Sequence, residues 1–306
     1  MHASAFCRRF LHAALAAEPQ ALYRSAMCFH EALGTARNQQ FAVTYMQSSA
    51  HLGCAAAAYA LANWYLAGKN GLAASAESAA YWMRIAAAEA HTDAQLWLAH
   101  WHMPTDVKVA VQWFAQAAES GNAEAQFHLG KALLEGAVIE PDYERALQLL
   151  TSAGKNGYDD AEFYLGECHF FGRGAPLFLF FLSFLSEIEL RFMKGTLKSR
   201  PNFPKALKHY QHAASAGHVL AAVRLATSYD QGLGTKEDAA KALKFWEQAA
   251  KLGHSDAAYT ASQRYLKGHG CNVNRMHAIT LLRIAAQVRV RIIVFKGTEN
   301  RDNGYG

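Results

Sequence analysis

Small and apolar residues recur down this chain in two alternating rows. The first row is Ala, an apolar residue four later, Tyr, Leu or His four later again, then Gly. Its copies are Ala57/Leu61/Tyr65/Gly68, Ala125/Leu129/Leu133/Gly136, Ala161/Leu165/His169/Gly172, Ala221/Leu225/Tyr229/Gly232 and Ala257/Ala261/Tyr265/Gly268. Positions i, i+4 and i+8 lie along one face of an α-helix, and the Gly behind them predicts a left-handed stop. The second row is Ala, a large residue four later, a small pair, then Gly. Its copies are Ala42/Met46/Ser49/Ala50/Gly53, Ala110/Phe114/Ala117/Ala118/Gly121, Ala146/Leu150/Ala153/Gly154/Gly157, Ala206/Tyr210/Ala213/Ala214/Gly217 and Ala242/Trp246/Ala249/Ala250/Gly253. Ala79/Met83/Ala86/Ala87 carries Ala90 in the glycine's place, and Ala278/Leu282/Ala285/Ala286 carries Arg289. The small pair lets a neighbouring helix approach closely, and the large residue fills the gap beside it.

One row of each kind makes a helical hairpin, and the hairpins keep a period. Gly121 and Gly157 lie 36 residues apart (157 − 121), as do Gly217 and Gly253 (253 − 217). A fixed period of this length marks a repeat array. A lone hairpin cannot bury its apolar stripe, so the units stack. Packing is therefore the plain reading of every recurring residue. The aromatic stripe Tyr59, Phe127, Phe163 and Tyr259 recurs with the period, so it reads as core between repeats rather than as a base-stacking platform. Two units depart. Ala94/Leu98/His102 runs straight into Pro104, which predicts a tight turn. The unit from Ala21 to Gly53 has a poor first helix and reads as a cap.

The pattern Ala-x3-Leu-Gly-x2-(Tyr/Leu)-x2-Gly, a loop with Gly and Asp, then Lys-Ala-x3-Trp-x2-Ala-Ala-x2-Gly resembles the Sel1-like repeat family. The clearest stretch is Ala221 to Gly253, with Gly232, Gly234, Asp238, Lys241, Ala242 and Trp246 in place; Gly172 and Gly174 also match. The resemblance spans residues 38–287 apart from one interruption. It implies an all-α fold, a right-handed α-solenoid of about seven stacked helical hairpins, akin to tetratricopeptide arrays. It also implies a non-enzymatic scaffold or adaptor that binds protein partners and supports assembly of a multiprotein complex. Relatives bridge components of signalling and membrane-associated complexes, including endoplasmic-reticulum degradation machinery. A solenoid offers a concave surface lined by first helices. Specificity then sits on their non-consensus residues, here Trp64, His128, Lys131, Tyr164, Arg224 and Arg264, for each of which an ordinary solvated side chain is the alternative. Two other functions stay open. One is a mitochondrial assembly factor of the same fold. The other is a hydrolase, as credited to some bacterial relatives, but no constellation in the sequence builds the cluster of perturbed groups an enzyme needs.

Composition narrows the partners. The chain has 306 residues, 52% hydrophobic and 18% charged, with net charge +5 and pI near 8.9. Its Lys and Arg are dispersed, which gives no nucleic-acid footprint. The five cysteines, at 7, 28, 54, 168 and 271, recur at no single repeat position, which favours a reducing compartment. The expected location is cytoplasmic, with mitochondrial as the alternative. The first 17 residues hold Arg8 and Arg9 and no acid; a cap helix, a mitochondrial presequence and a weak secretory signal all fit. The chain divides into 1–37 (cap or targeting segment), 38–175 (repeats), 176–199 (apolar insertion), 200–287 (repeats) and 288–306 (non-repeat tail).

The insertion breaks the period. Gly157 and Gly217 are 60 residues apart (217 − 157), 24 more than the period. The apolar stretch from Pro176 to Ser186 is 11 residues long. A membrane span needs about 20, so no transmembrane helix is expected. An interfacial helix is one reading. The preferred reading is a retained intron: Pro, Leu, Phe and Ser all have pyrimidine-only codons, and Val288-Arg289 can encode a splice-donor-like string. Residues 288–306 read the same way.

Reactive chemistry is sparse. His100-x-His102 and His209-x2-His212 invite a metal, but neither pair has a Cys or carboxylate at ligand spacing. Gly172-x-Gly174 and Gly232-x-Gly234 follow helices rather than strands, so the dinucleotide fingerprint fails. Cys168 and His169 are helix neighbours and do not face each other. No catalytic residue, cofactor, metal or small-molecule substrate is expected.

Overall fold

The computed structural model describes residues 18–33, 36–172 and 201–287. The acid-free segment, the whole apolar insertion and the non-repeat tail lie outside them. Among the described residues there are fourteen α-helices and no strand. They are α1 Pro19–Glu31, α2 Gln39–His51, α3 Ala55–Ala67, α4 Ala76–Ala88, α5 Thr92–His102, α6 Val107–Glu119, α7 Ala123–Glu135, α8 Tyr143–Lys155, α9 Asp159–Phe171, α10 Phe203–Ser215, α11 Val219–Gln231, α12 Ala239–Lys251, α13 Ser255–Lys267 and α14, 275–287. The chain forms two compact units that divide at Leu129 and Gly130, within α7. In the first, α1/α2, α3/α4 and α5/α6 pair as hairpins; in the second, α9/α10 and α11/α12 do.

The recurring rows form the core of each unit. In the first unit Ala42, Met46, Ala57, Leu61, Ala79, Met83, Ala94 and Leu98 are buried together. In the second, Ala206, Tyr210, Ala213, Ala221, Leu225 and Ala249 do the same. The small pairs are buried at Ala86/Ala87, Ala117/Ala118, Ala213/Ala214 and Ala249/Ala250. In 275–287 Ala285 is buried but Ala286 is exposed. The aromatic stripe is packed at Phe127 and Phe163. Tyr59 stacks on His91, and Phe163 on His218, each at 4.3 Å. Tyr259 departs from that expectation and is 53% exposed.

Six hairpins close in the same way. The backbone N–H of the residue that caps the second helix donates to the carbonyl of the third residue of the first row. The bonds are Ser75 to Tyr65 (3.1 Å), Asp106 to His102 (2.7 Å), Asn202 to His169 (2.7 Å), Asp238 to Tyr229 (2.9 Å) and Asn274 to Tyr265 (3.0 Å). Asn38 to Phe29 (3.1 Å) closes α1 on α2 in the same way. The capping side chain then takes an N–H of the first turn of the helix, as Ser75 does from Ser78 and Asn202 from Lys205. The tight turn expected at Pro104 is present, with Asp106 capping α6 four residues after His102. The expectation of a poor first helix is corrected: α1 is a full 13-residue helix. Its Pro occupies an N-terminal position that needs no amide donor, and Ala26 joins the core.

The glycine stops also divide. Gly68, Gly232 and Gly268 cap their helices in the left-handed region. Gly172 does not: at φ 86°, ψ 153° it turns the chain out of α9 in a conformation open essentially to glycine alone. Gly234 has a packing role. A Cβ there would lie 2.6 Å from the Phe203 carbonyl carbon, so only glycine lets this loop rest on the start of α10.

Candidate functional site

Non-consensus side chains of the first helices meet at the junctions between repeats, in two kinds of rung. One joins the sixth residue after the leading Ala to the third residue after the leading Ala of the next repeat. The ammonium of Lys131 on α7 lies 5.6 Å from the ring centre of Tyr164 on α9. Glu167 on α9 takes two hydrogen bonds from Arg224 on α11, from Nε and Nη2, each 2.7 Å. His100 on α5 and His128 on α7 occupy the same places and meet edge to face at 5.5 Å. The other rung joins the ninth residue to the seventh of the next repeat. Trp64 packs on His30 at 4.9 Å, and Arg264 donates to Asp230 Oδ2 at 2.5 Å.

All six residues singled out from sequence therefore sit in rungs. Trp64 is only 6% exposed and belongs to the first unit's core. Arg224 is held between Glu167 and the faces of Phe170 and Phe171. Arg264 shares Asp230 Oδ2 with the indole N–H of Trp246, which donates at 3.0 Å. His128 stacks on Phe114 at 4.4 Å. Tyr164 is largely buried, and burial raises its pKa against the opposing pull of Lys131. Lys131, with 37% of its side chain exposed and Glu135 at 3.8 Å, is the most available of the six.

The Glu167 rung is the most polar point of the interior. Glu167 is 1% exposed. Tyr210 donates its hydroxyl to Glu167 Oε1 at 2.5 Å. The ring reaches it across Gly166, where a Cβ would lie 2.5 Å from Tyr210 Cε1. That explains Gly166 where α3 and α11 carry Ala62 and Ala226. Burial, reinforced by Glu167, raises the Tyr210 pKa. Burial opposes the charge on Arg224, but Glu167 and Tyr210 outweigh it and the pKa is raised. Burial, with a smaller push from Glu167, drives the neighbouring Cys168 thiol up to about 12, far from a reactive thiolate. The cluster is closed on itself, with both carboxylate oxygens engaged; it is a structural pair rather than a nucleophile and its base.

The structure brings a carboxylate to His100 of the first pair and to both members of the second. Glu124 Oε1 lies 2.9 Å from His100 Nε2 and 4.0 Å from His128 Nε2. Glu162 Oε2 lies 2.7 Å from His209 Nδ1 and 3.9 Å from His212 Nδ1. Relative to His100 and to the His209/His212 pair, both carboxylates come from another helix, so the spacing within each pair does not reveal them. His218 and His254 acquire a role as well: each caps a first helix, its Nδ1 accepting from Ala221 or Ala257.

A stack of hairpins with recurring residues in the core and individual residues at the junctions defines an α-helical repeat protein. The Sel1 repeat family model matches residues 19–54, 55–91, 92–122, 123–158, 159–176, 182–218, 219–254 and 255–287. The chain belongs to the Sel1 repeat family. Its matches break within the apolar insertion, between 176 and 182. Among solved structures it is similar to c5321, a protective antigen of uropathogenic Escherichia coli strains with this repeat fold. The TM-score is 0.67 and the identity 22%, over 92% of this chain and 56% of that one. A Sel1 repeat protein from Oxalobacter formigenes is similar at TM-score 0.63 and 21% identity, over 92% of this chain and 75% of that one. The chain thus spans little more than half the length of the E. coli protein. Members of the family typically mediate protein–protein interaction. Among the described residues no helix is long and apolar enough to cross a membrane.

Proposed function

We propose that this chain is a non-enzymatic adaptor whose first-helix faces take protein partners and support assembly of a multiprotein complex. The observation that carries this reading is the division of labour along the repeats. Recurring residues go to the core, while individual residues line the junctions of the first helices. A surface that differs from rung to rung on a constant frame is what partner selection needs. The reading also draws on the closed state of the cluster around Glu167, in which Cys168 and Tyr210 are held protonated.

Affinity capture with quantitative mass spectrometry tests the proposal. Lys131→Glu reverses the most available candidate charge, and Lys244→Glu reverses an exposed charge on the second helix α12. Lys131→Glu is expected to lose partners that the wild type and Lys244→Glu both retain, with unchanged helicity. Identical partner sets for all three would overturn the first-helix face as the docking surface.

A further inference from the structure

We infer that His100, Glu124 and His128 form a binding site for a divalent first-row transition metal ion, zinc foremost, bridging two consecutive repeats. The site is independent of the adaptor reading. His100 stands in the last turn of α5. Glu124 and His128 stand one turn apart on α7, a spacing that puts both on one face. One nitrogen or oxygen from each residue lies within 4.8 Å of the others.

The donor set selects the ion. Two imidazoles and one carboxylate suit zinc and its first-row neighbours and suit calcium or magnesium poorly. The geometry is close to what an ion requires. Bonds of about 2.1 Å place neighbouring ligand atoms about 3.0–3.4 Å apart in octahedral or tetrahedral sites. The two histidine-to-carboxylate distances, 2.9 and 4.0 Å, straddle that range. The adjustment falls on His100, with 47% of its side chain exposed, and on Glu124, with 35% exposed. His128 is the fixed member. Phe114, a buried residue of α6, stacks on its ring with planes 17° apart, and the same phenyl meets the His100 ring edge-on at 5.4 Å. Phe114 thus holds the His128 imidazole in place before an ion arrives and leaves His100 free to adjust against its edge. Three protein ligands leave at least one coordination position for water or for a side chain of a bound partner.

Comparable rungs lack this capacity. The Lys131–Tyr164 and Glu167–Arg224 pairs place a cation where a ligand would be needed. An ion held here ties α5 to α7 and stabilises the folded state of both repeats by mass action.

Zinc titration by calorimetry, with cobalt(II) as a spectroscopic probe, tests the site on the full chain. Wild type is expected to bind one equivalent and to give the intense visible absorption of low-coordinate cobalt. His100→Ala changes an exposed side chain, and Glu124→Gln keeps the shape. Each is expected to weaken binding by more than about tenfold, the lower end of what even an outer-shell partner contributes. His209→Ala is expected to leave zinc binding unchanged, because the ligand atoms of His209, His212 and Glu162 do not all lie within 4.8 Å of one another. Zinc should raise the melting temperature of wild type and of His209→Ala but not of His100→Ala. The inference fails if wild type binds no zinc at micromolar concentration. It fails equally if His100→Ala and Glu124→Gln bind as wild type does. In either case the contact between His100 and Glu124 is a hydrogen bond between repeats and nothing more.

Discussion

Arg224→Met separates a docking residue from a structural one. The substitution removes two 2.7 Å hydrogen bonds to Glu167, a carboxylate 1% exposed. Methionine keeps most of the volume against Phe170 and Phe171, so the cavity contribution is small. What remains is a buried charge with only the Tyr210 hydroxyl for company. Breaking a buried pair this way costs about 3–5 kcal/mol. At about 2–4 °C per kcal/mol for a chain of this size, the midpoint should fall by about 6–20 °C. Glu167→Gln should cost less, because 15% of the Arg224 side chain reaches solvent and can still be hydrated. Arg224→Met/Glu167→Gln should recover much of the loss, since neither charge is then left buried alone. Urea and thermal unfolding by far-UV circular dichroism provide the readout. Repeat arrays unfold in pieces, so hydrogen exchange across 159–231 locates the weakened segment. The reasoning is refuted if Arg224→Met stays within about 1 kcal/mol of wild type, or if the double variant is no better than Arg224→Met.

Three further outcomes are expected. Gly232→Val should destabilise by more than about 1 kcal/mol, because φ is +66° there and a Cβ would lie 3.2 Å from Glu237 Cγ; an unchanged urea midpoint would contradict this. Deleting 176–199 should keep the helical content and the midpoint, because the Asn202-to-His169 bond closes the hairpin on either side of the deletion; a midpoint lower by several degrees would show that the segment supports the fold. Stability should fall as pH rises above about 9. The Cys168 thiol ionises near 9 when unfolded and at about 12 when folded, so the folded state holds that proton more tightly and its advantage is lost across that window. Tyr210, raised in the same direction, adds to the slope. Cys168→Ala should flatten the curve in thermal melts between pH 8 and 11; an unchanged slope would assign the effect elsewhere.

The helices, their pairing and most of the core were legible in sequence because they repeat. Ala57, Leu61 and Met83 are buried for the reason their period suggests. Tyr259 and Ala286 break the pattern in the last repeat, where no described hairpin follows. The rungs were only half legible. Trp64, Arg224 and Arg264 were visible as departures from consensus, but their partners His30, Glu167 and Asp230 belong to the preceding repeat. Finding them requires aligning each repeat against its neighbour and reading the sixth position against the next third and the ninth against the next seventh. Glu124 stands one residue before its leading Ala, in neither rung register, and its only signal in sequence is the one-turn spacing to His128. Loop glycines were read by shape alone, which suits Gly232 and misses the different turn at Gly172.

Hairpin closure by a single backbone bond has a consequence for building with this chain. The bond from Asp106 to His102 spans a four-residue turn, and the bond from Asn202 to His169 spans a separation of 33 residues (202 − 169). The helices on either side register the junction and not the length of chain between its ends. Each such junction is therefore a port into which a foreign peptide, an epitope or a small folded module can be grafted, at a cost that grows only slowly with the length inserted. The ports recur along the chain, so several cargoes could be displayed in a fixed order on one scaffold.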